Sequence, residues 1–267
     1  MDAAKRMQLI RIIEKIEKNP EFSEKLGIRN TSVLKPMKER KGEMVMKHIV
    51  IDLEMNALDK KFKDEKLICG REIIQIGAVL LDDQYQEIGY FNTLVKPQYN
   101  ERIERKFEKL TGISTKMVQN APVFAEAMEQ FFSWCHSIKD EILIYQWSES
   151  DYEQITKELE LKRICLNAED TELLQDFQDF QKEYGETLGL SKAVSLKDAV
   201  MYAGVDFSGK EHDALDDAKN TAALLRIVRI PELCKMALEN VIDAFNPKPI
   251  GTSLGDLVHF DELGIPA

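Results

Sequence analysis

The seven residues HDALDDA, 212–218, gather one histidine and three aspartates in a chain with only four histidines. Aspartates are common at helix starts, where they accept from exposed N–H groups and suit the positive end of the dipole. The same residue types also do phosphate chemistry. Carboxylates hold hard cations, and an imidazole exchanges protons near neutral pH. A second acid pair stands far upstream in IVIDLEM, where Asp52 and Glu54 are two apart in an apolar, β-rich run. Both side chains therefore leave one face of a strand. Two carboxylates in such a setting are unfavourable unless something positive binds them, and a divalent cation is the simplest such partner.

The D-x-E spacing recurs at Asp151/Glu153 and Asp170/Glu172, both in polar helical or loop surroundings. The second of these reads as a surface or capping pair. Asp151 is different, because it opens a helix directly after the strand-like EILIYQW. From there it can reach the sheet edge toward which Asp52 and Glu54 point. Helix periodicity sorts the aspartates of 212–218. Ala214, Ala218, Thr221, Ala222 and Leu225, with Val228 at the end, form a packed stripe; Asp217 adjoins it, whereas Asp213 and Asp216 fall on the wetter side. His212 precedes the first turn. Its spacing does not suit a two-histidine zinc helix, and the cysteines form no cluster. General base assistance from such a histidine is worth roughly 10² to 10⁴ in rate.

The elements that must position these groups follow from periodicity. HIVIDLE, EIIQIGAVLLDD (72–83) and EIGYFNTLVKP (87–97) read as three strands, the last two joined by a hairpin. VFAEAMEQFFSWCHSI (123–138) reads as a helix presenting Phe124, Met128, Phe131, Phe132 and Cys135 on one face. A strand over 141–147, a helix over 149–161, a fifth strand at RICLN and a helix over ELLQDFQDFQKEYG, closed by Gly185, come next. Ser195 caps SLKDAVMYAGV, a helix spans about 214–229, and Pro231 opens a last one to about Phe245. The expected fold class is α/β, a mixed central sheet flanked by helices.

Leu9, Ile12, Ile13 and Ile16 add an amphipathic N-terminal helix, followed by the basic stretch LKPMKERKGEMVMK. Residues 1–45 thus form a basic helical extension, read as a solvated face in preference to a nucleic-acid contact. The main domain is expected over 46–230, and 231–267 form a C-terminal helix and tail. Residues 1–47 carry 12 Lys and Arg against 7 Asp and Glu, so the rest of a chain of net charge −11 bears −16.

With 44% hydrophobic and 31% charged residues, the composition is that of an ordinary globular protein. No apolar run approaches the roughly 18 residues of a membrane span, and the N-terminus lacks the features of a secretion signal. Four scattered cysteines suggest a reducing, cytoplasmic setting. The acidic balance excludes a protein that coats nucleic acid by bulk charge, but not an enzyme that meets phosphate through metal ions.

Asp52-Leu53-Glu54, then Asp151, then His212-x-Ala214-x-x-Asp217-Ala218, in that order, resemble the three motifs of the DEDDh branch of DnaQ-like, RNase H-related exonucleases. EIIQIGAVLLD resembles that family's second strand, and FEKLTGISTKMVQNAPVFAEAMEQFFSW its L-T-G-I segment and following helix. Trp147 to Asp151 resembles the W-G-x-x-D form seen in the histone-mRNA 3′ exonuclease branch, with Ser148 in place of the glycine and Gln75 where a second-strand glutamate is common. The resemblance covers about residues 46–230. It implies an RNase H-like fold and release of nucleoside 5′-monophosphates from the 3′ end of single-stranded or 3′-overhang RNA or DNA. Two Mg²⁺ ions, or Mn²⁺ in their place, would be held by Asp52, Glu54, Asp151 and Asp217, with His212 as base. Met55 and Trp147 would seat the terminal nucleotide, and relatives of this kind can pair as homodimers.

Two rival readings fit these residues less well. An HD-type phosphohydrolase, prompted by His212-Asp213, needs further converging histidines, and His48, His136 and His259 sit in unsuitable contexts. A non-catalytic nucleic-acid-binding or scaffold protein on the same fold is disfavoured because all five motif residues are present.

Overall fold

The computed structural model describes residues 46–190 and 192–245. The N-terminal helix expected around Leu9 to Ile16, the rest of the basic extension and the tail beyond 245 lie outside them. A five-stranded sheet has the order β3-β2-β1-β4-β5. Its strands are β1 (Lys47–Ala57), β2 (Arg71–Leu81), β3 (Glu87–Leu94), β4 (Ile142–Gln146) and β5 (Phe177–Asp179). β2 lies antiparallel to β1 and β3, whereas β4 runs parallel to β1 and β5 parallel to β4. The mixed sheet expected from the pattern is thus the observed one. Asp82 closes the β2–β3 hairpin, accepting from the N–H groups of Gln84 and Gln86.

Ten helices flank the sheet among the described residues. In order they are α1 (Glu65–Ile68), α2 (Arg105–Thr111), α3 (Thr115–Val118), α4 (Phe124–His136), α5 (Ser150–Leu161), α6 (Ala168–Gln175), α7 (Phe180–Thr187), α8 (Leu196–Tyr202), α9 (Ala214–Arg229) and α10 (Pro231–Phe245).

Alternation along β1 divides the core. Ile49, Ile51 and Leu53 pack with Phe124, Met128, Phe131 and Phe132 of α4. Val50 faces the other way, into a cluster with Leu224, Leu225 and Val228 of α9 and Leu238 and Val241 of α10. Asp52 and Glu54 follow Val50 by two and four residues, so the period of two sends both toward the α9 side. A register irregularity comes only after Glu54.

Two expectations fail between α5 and α7. RICLN is not a strand. Arg163 takes a left-handed φ of 54°, the Ile164 N–H returns to the Leu159 carbonyl, and Asn167 caps α6 by accepting from the Asp170 N–H. The segment is consumed in ending one helix and starting another. The fifth strand lies instead inside ELLQDFQDFQKEYG, where Phe177, Gln178 and Asp179 pair with Ile144, Tyr145 and Gln146. Here pairing with a strand some thirty residues away overrides a helical local pattern. Asp179 then caps α7, which runs past Gly185 to Thr187, with Gly189 in the left-handed region beyond it.

No described helix is long and apolar enough to cross a membrane.

Candidate active site

The acids arrive from three directions. Asp52 and Glu54 sit opposite Gly77 and Gln75 of β2. Asp151, in the first turn of α5, is 3% exposed. The chain turns between β4 and α5 at Ser148, whose φ of 79° lies where glycine is favoured. Its hydroxyl meets that of Ser150 at 2.9 Å, and Gln146 Oε1 accepts from the Tyr152 N–H at 2.7 Å. Asp217 comes from the first turn of α9.

The three aspartates of 212–218 have three different tasks. Asp213 is the helix cap, its Oδ1 accepting from the N–H groups of Leu215 and Asp216. Asp216 Oδ2 accepts from the Lys210 N–H at 2.8 Å and so ties down the preceding loop. Asp217 turns to the cavity, and its Oδ2 accepts from the His212 N–H at 3.1 Å. His212 itself is exposed, with a φ of 62°. Lys210 Nζ donates to the Thr111 carbonyl at 2.6 Å, bracing the same loop against α2.

Asp52, Glu54, Asp151, His212 and Asp217 line one cavity of about 260 Å³, together with Met55 and Trp147. All seven residues singled out from the sequence are therefore brought together. Ligand atoms of Glu54, His212 and Asp217 lie within 4.8 Å of one another. Burial, then repulsion from Asp151, Asp217 and Glu54, pushes the Asp52 carboxyl well above the usual carboxylate range. Burial, then Glu54 and Asp217, does the same to Asp151. Glu54 is pushed up to about 8 by burial and by Asp217 and Asp213, against the opposing charge of Lys210. Asp217 rises to about 7, chiefly by burial, although the His212 N–H holds it down. Such mutual repulsion in a half-buried, oxygen-rich pocket fits a hard divalent cation as the missing positive charge.

Trp147 serves two surroundings. It packs on Phe180 and Tyr184 at 5.9 and 5.5 Å between ring centroids, yet it also walls the cavity. Its buried indole N–H finds no hydrogen-bond partner among the described residues.

Arg71, Phe107, Leu110 and Ser150 also line the cavity and escaped the sequence reading. Phe107 and Leu110 stand three apart on the short α2, and Leu110 is 45% exposed. That apolar pair, a half-buried Phe107 and the exposed leucine that opens the L-T-G-I segment, was the signal available. Asn56 brings the segment leading to α2 to the end of β1. Its Nδ2 donates to the Arg102 carbonyl and its Oδ1 accepts from the Glu104 N–H.

Acids meeting from the central strand β1 and two helix starts, on a mixed sheet with an antiparallel hairpin at one side, define an RNase H-like exonuclease architecture. Residues 49–225 match the family model described as RNase T, exonuclease. The chain belongs to that family. It is 29% identical over 228 residues to mouse (Mus musculus) ERI1 exoribonuclease 2, covering 78% of this chain and 32% of that one. To the PolC-type DNA polymerase III of Thermotoga maritima it is 27% identical over 214 residues, covering 75% of this chain and 14% of the polymerase. The nuclease domain of 3′hExo, a DEDDh family member bound to rAMP, superposes with a TM-score of 0.58 at 21% identity, over 67% of this chain and 90% of that domain. E. coli exonuclease I in complex with a dA16 oligonucleotide superposes at 0.53, with 16% identity, over 71% and 42% of the two chains. The chain spans 27% to 34% of the length of the ERI1 exoribonuclease 2 chains it matches.

Proposed function

We propose that this chain is a 3′–5′ exonuclease that hydrolyses single-stranded or 3′-overhang RNA or DNA and releases nucleoside 5′-monophosphates. The observation that carries the reading is the convergence of Asp52, Glu54, Asp151 and Asp217 with His212 in one cavity. The names of the relatives, exoribonucleases among them, point to the same class of substrate.

Asp52, Glu54, Asp151 and Asp217 are the residues that would hold divalent cations, Mg²⁺ first and Mn²⁺ as its substitute. When bound, these ions supply charge stabilisation to the attacking and leaving oxygens of an in-line displacement. Everything else falls to the chain. His212, exposed beside the buried acids, takes a proton from the attacking water. The water oxygen bonds to phosphorus, the bond to the preceding 3′ oxygen breaks, and that oxygen leaves with a proton as the new 3′ hydroxyl. Met55, Phe107 and Leu110 offer apolar surface to the terminal nucleoside, with Trp147 behind them. Arg71, exposed on the rim, is a guanidinium suited to a phosphate oxygen.

Matched 3′-labelled RNA and DNA single strands test the proposal. Mononucleotides should appear in Mg²⁺ or Mn²⁺ and not in EDTA. Binding without cleavage in either ion would favour the scaffold reading.

A further inference from the structure

We infer that Gln75 is a positioning residue, whose carboxamide seats the first turn of α9 on the sheet and so fixes His212 and Asp217 over the β1 carboxylates. The inference rests on the nuclease reading of the site.

Gln75 is 3% exposed and occupied on both ends. Its Nε2 donates to Asp213 Oδ2 at 3.3 Å and to Asn92 Oδ1 on β3 at 3.2 Å. Its Oε1 accepts from the Ala214 N–H at 3.2 Å. This arrangement suits a carboxamide, because the Ala214 N–H needs an acceptor while the Asp213 carboxylate needs a donor. The Ala214 amide is one of the first-turn donors with no partner inside the helix, and Ala214 is fully buried. Without Gln75 it would stay unsatisfied.

Two residues along the same face of β2, Gly77 completes the seat. A Cβ there would lie 2.3 Å from Ala214 C and from Leu215 N, so the helix backbone rests directly on the strand. Gln75 and Gly77 are the register partners of Glu54 and Asp52. The two rungs that carry the β1 acids therefore also carry the support for the helix that brings Asp217. Asp217 in turn holds the His212 N–H, so a shift at Ala214 moves both. The remainder of α9 is held by Leu224, Leu225 and Val228 in the core, so removing the seat displaces the first turn and spares the fold.

The test uses the full chain with Gln75→Met, Gln75→Glu, and Gln75→Glu combined with Asp213→Asn. Gln75→Met should lower kcat on a single-stranded oligonucleotide roughly 10- to 100-fold and leave KM within about two-fold, as expected of a small misplacement of reacting groups. Hydrogen exchange at the Ala214 amide should quicken, while β1 and the second half of α9 stay protected. Gln75→Glu sets a carboxylate against Asp213 Oδ2 and should lose as much. Adding Asp213→Asn replaces that oxygen with a donor and should recover activity several-fold over Gln75→Glu alone. Wild-type kcat in Gln75→Met, loss of kcat with Ala214 exchange unchanged, or a double variant no faster than Gln75→Glu would each overturn the inference. If Gln75→Met does not fold, the Gln75→Glu pair decides. A wild-type chain that releases no nucleotide would sink the nuclease reading instead, with Ala214 exchange still reporting on the seat.

Discussion

At the scale of single residues, the three aspartates of 212–218 separate by the atoms they touch. Asp216 binds a backbone N–H of the loop, whereas Asp217 faces the cavity acids. Asp217→Asn should therefore abolish nucleotide release, while Asp216→Asn keeps activity within several-fold. Steady-state rates on one labelled strand check both, and equal loss in the two would refute the assignment. The cavity acids also make a prediction about pH. In the metal-free protein Glu54 lies at about 8 and Asp217 at about 7, with Asp52 and Asp151 shifted the same way. All are above their unfolded values, so between the ordinary carboxylate range and about 8 the folded chain binds more protons than the unfolded one. Their stabilising contribution is full below that range and is lost as pH rises through 7 to 8. In EDTA, Tm should fall between about pH 6 and pH 8.5, and fall less in Glu54→Gln. A Tm that rises equally in both proteins would contradict this.

At the scale of elements, a buried ionic group pins α5 to β2. Lys162 Nζ lies 2.6 Å from Glu158 Oε1 and 3.2 Å from Glu72 Oε1, with both carboxylates fully buried. Glu158 also accepts from the Ile73 N–H and from Gln154 Nε2, while Glu72 accepts from the N–H groups of Gln98, Tyr99 and Asn100. α5 is the helix that begins with Asp151, so this group sets the depth at which that acid enters the cavity. Glu158→Ala leaves Lys162 with Glu72 alone and strips the buried Ile73 N–H of its acceptor, and should destabilise the fold by about 1–3 kcal/mol, read from urea unfolding. A change inside the range of ordinary surface substitutions, about ±0.5 kcal/mol, would show the group to be dispensable.

At the scale of the whole molecule, a chain of net charge −11 gathers four of its carboxylates at the place where a polyanion is proposed to enter. Cations held by these carboxylates would resolve that conflict locally, because the phosphate would meet the metal charge before the protein's. Mg²⁺ at about 100 times its Kd should then stabilise the folded chain by about 2.7 kcal/mol. Thermal melts should show the increment in the wild type and little of it in Asp52→Asn. An equal shift in both proteins would place the binding elsewhere.

Much of this was legible along the chain, since a strand's period of two puts Asp52 and Glu54 on one face whatever surrounds it. The stripe from Ala214 to Val228 likewise turns Asp217 inward and leaves Asp216 to the loop. These are properties of local backbone geometry, and sequence by itself determined them. Tertiary structure alone decided what depends on distant partners: that β5 forms at Phe177 to Asp179, because β4 offers its edge there, and that RICLN is spent on helix ends. It also decided that Phe107, Leu110 and Arg71 wall the cavity, and that Gln75 and Gly77 carry the start of α9. No periodicity encodes a contact between residues 75 and 214, because that contact exists only once the sheet has brought their two elements together.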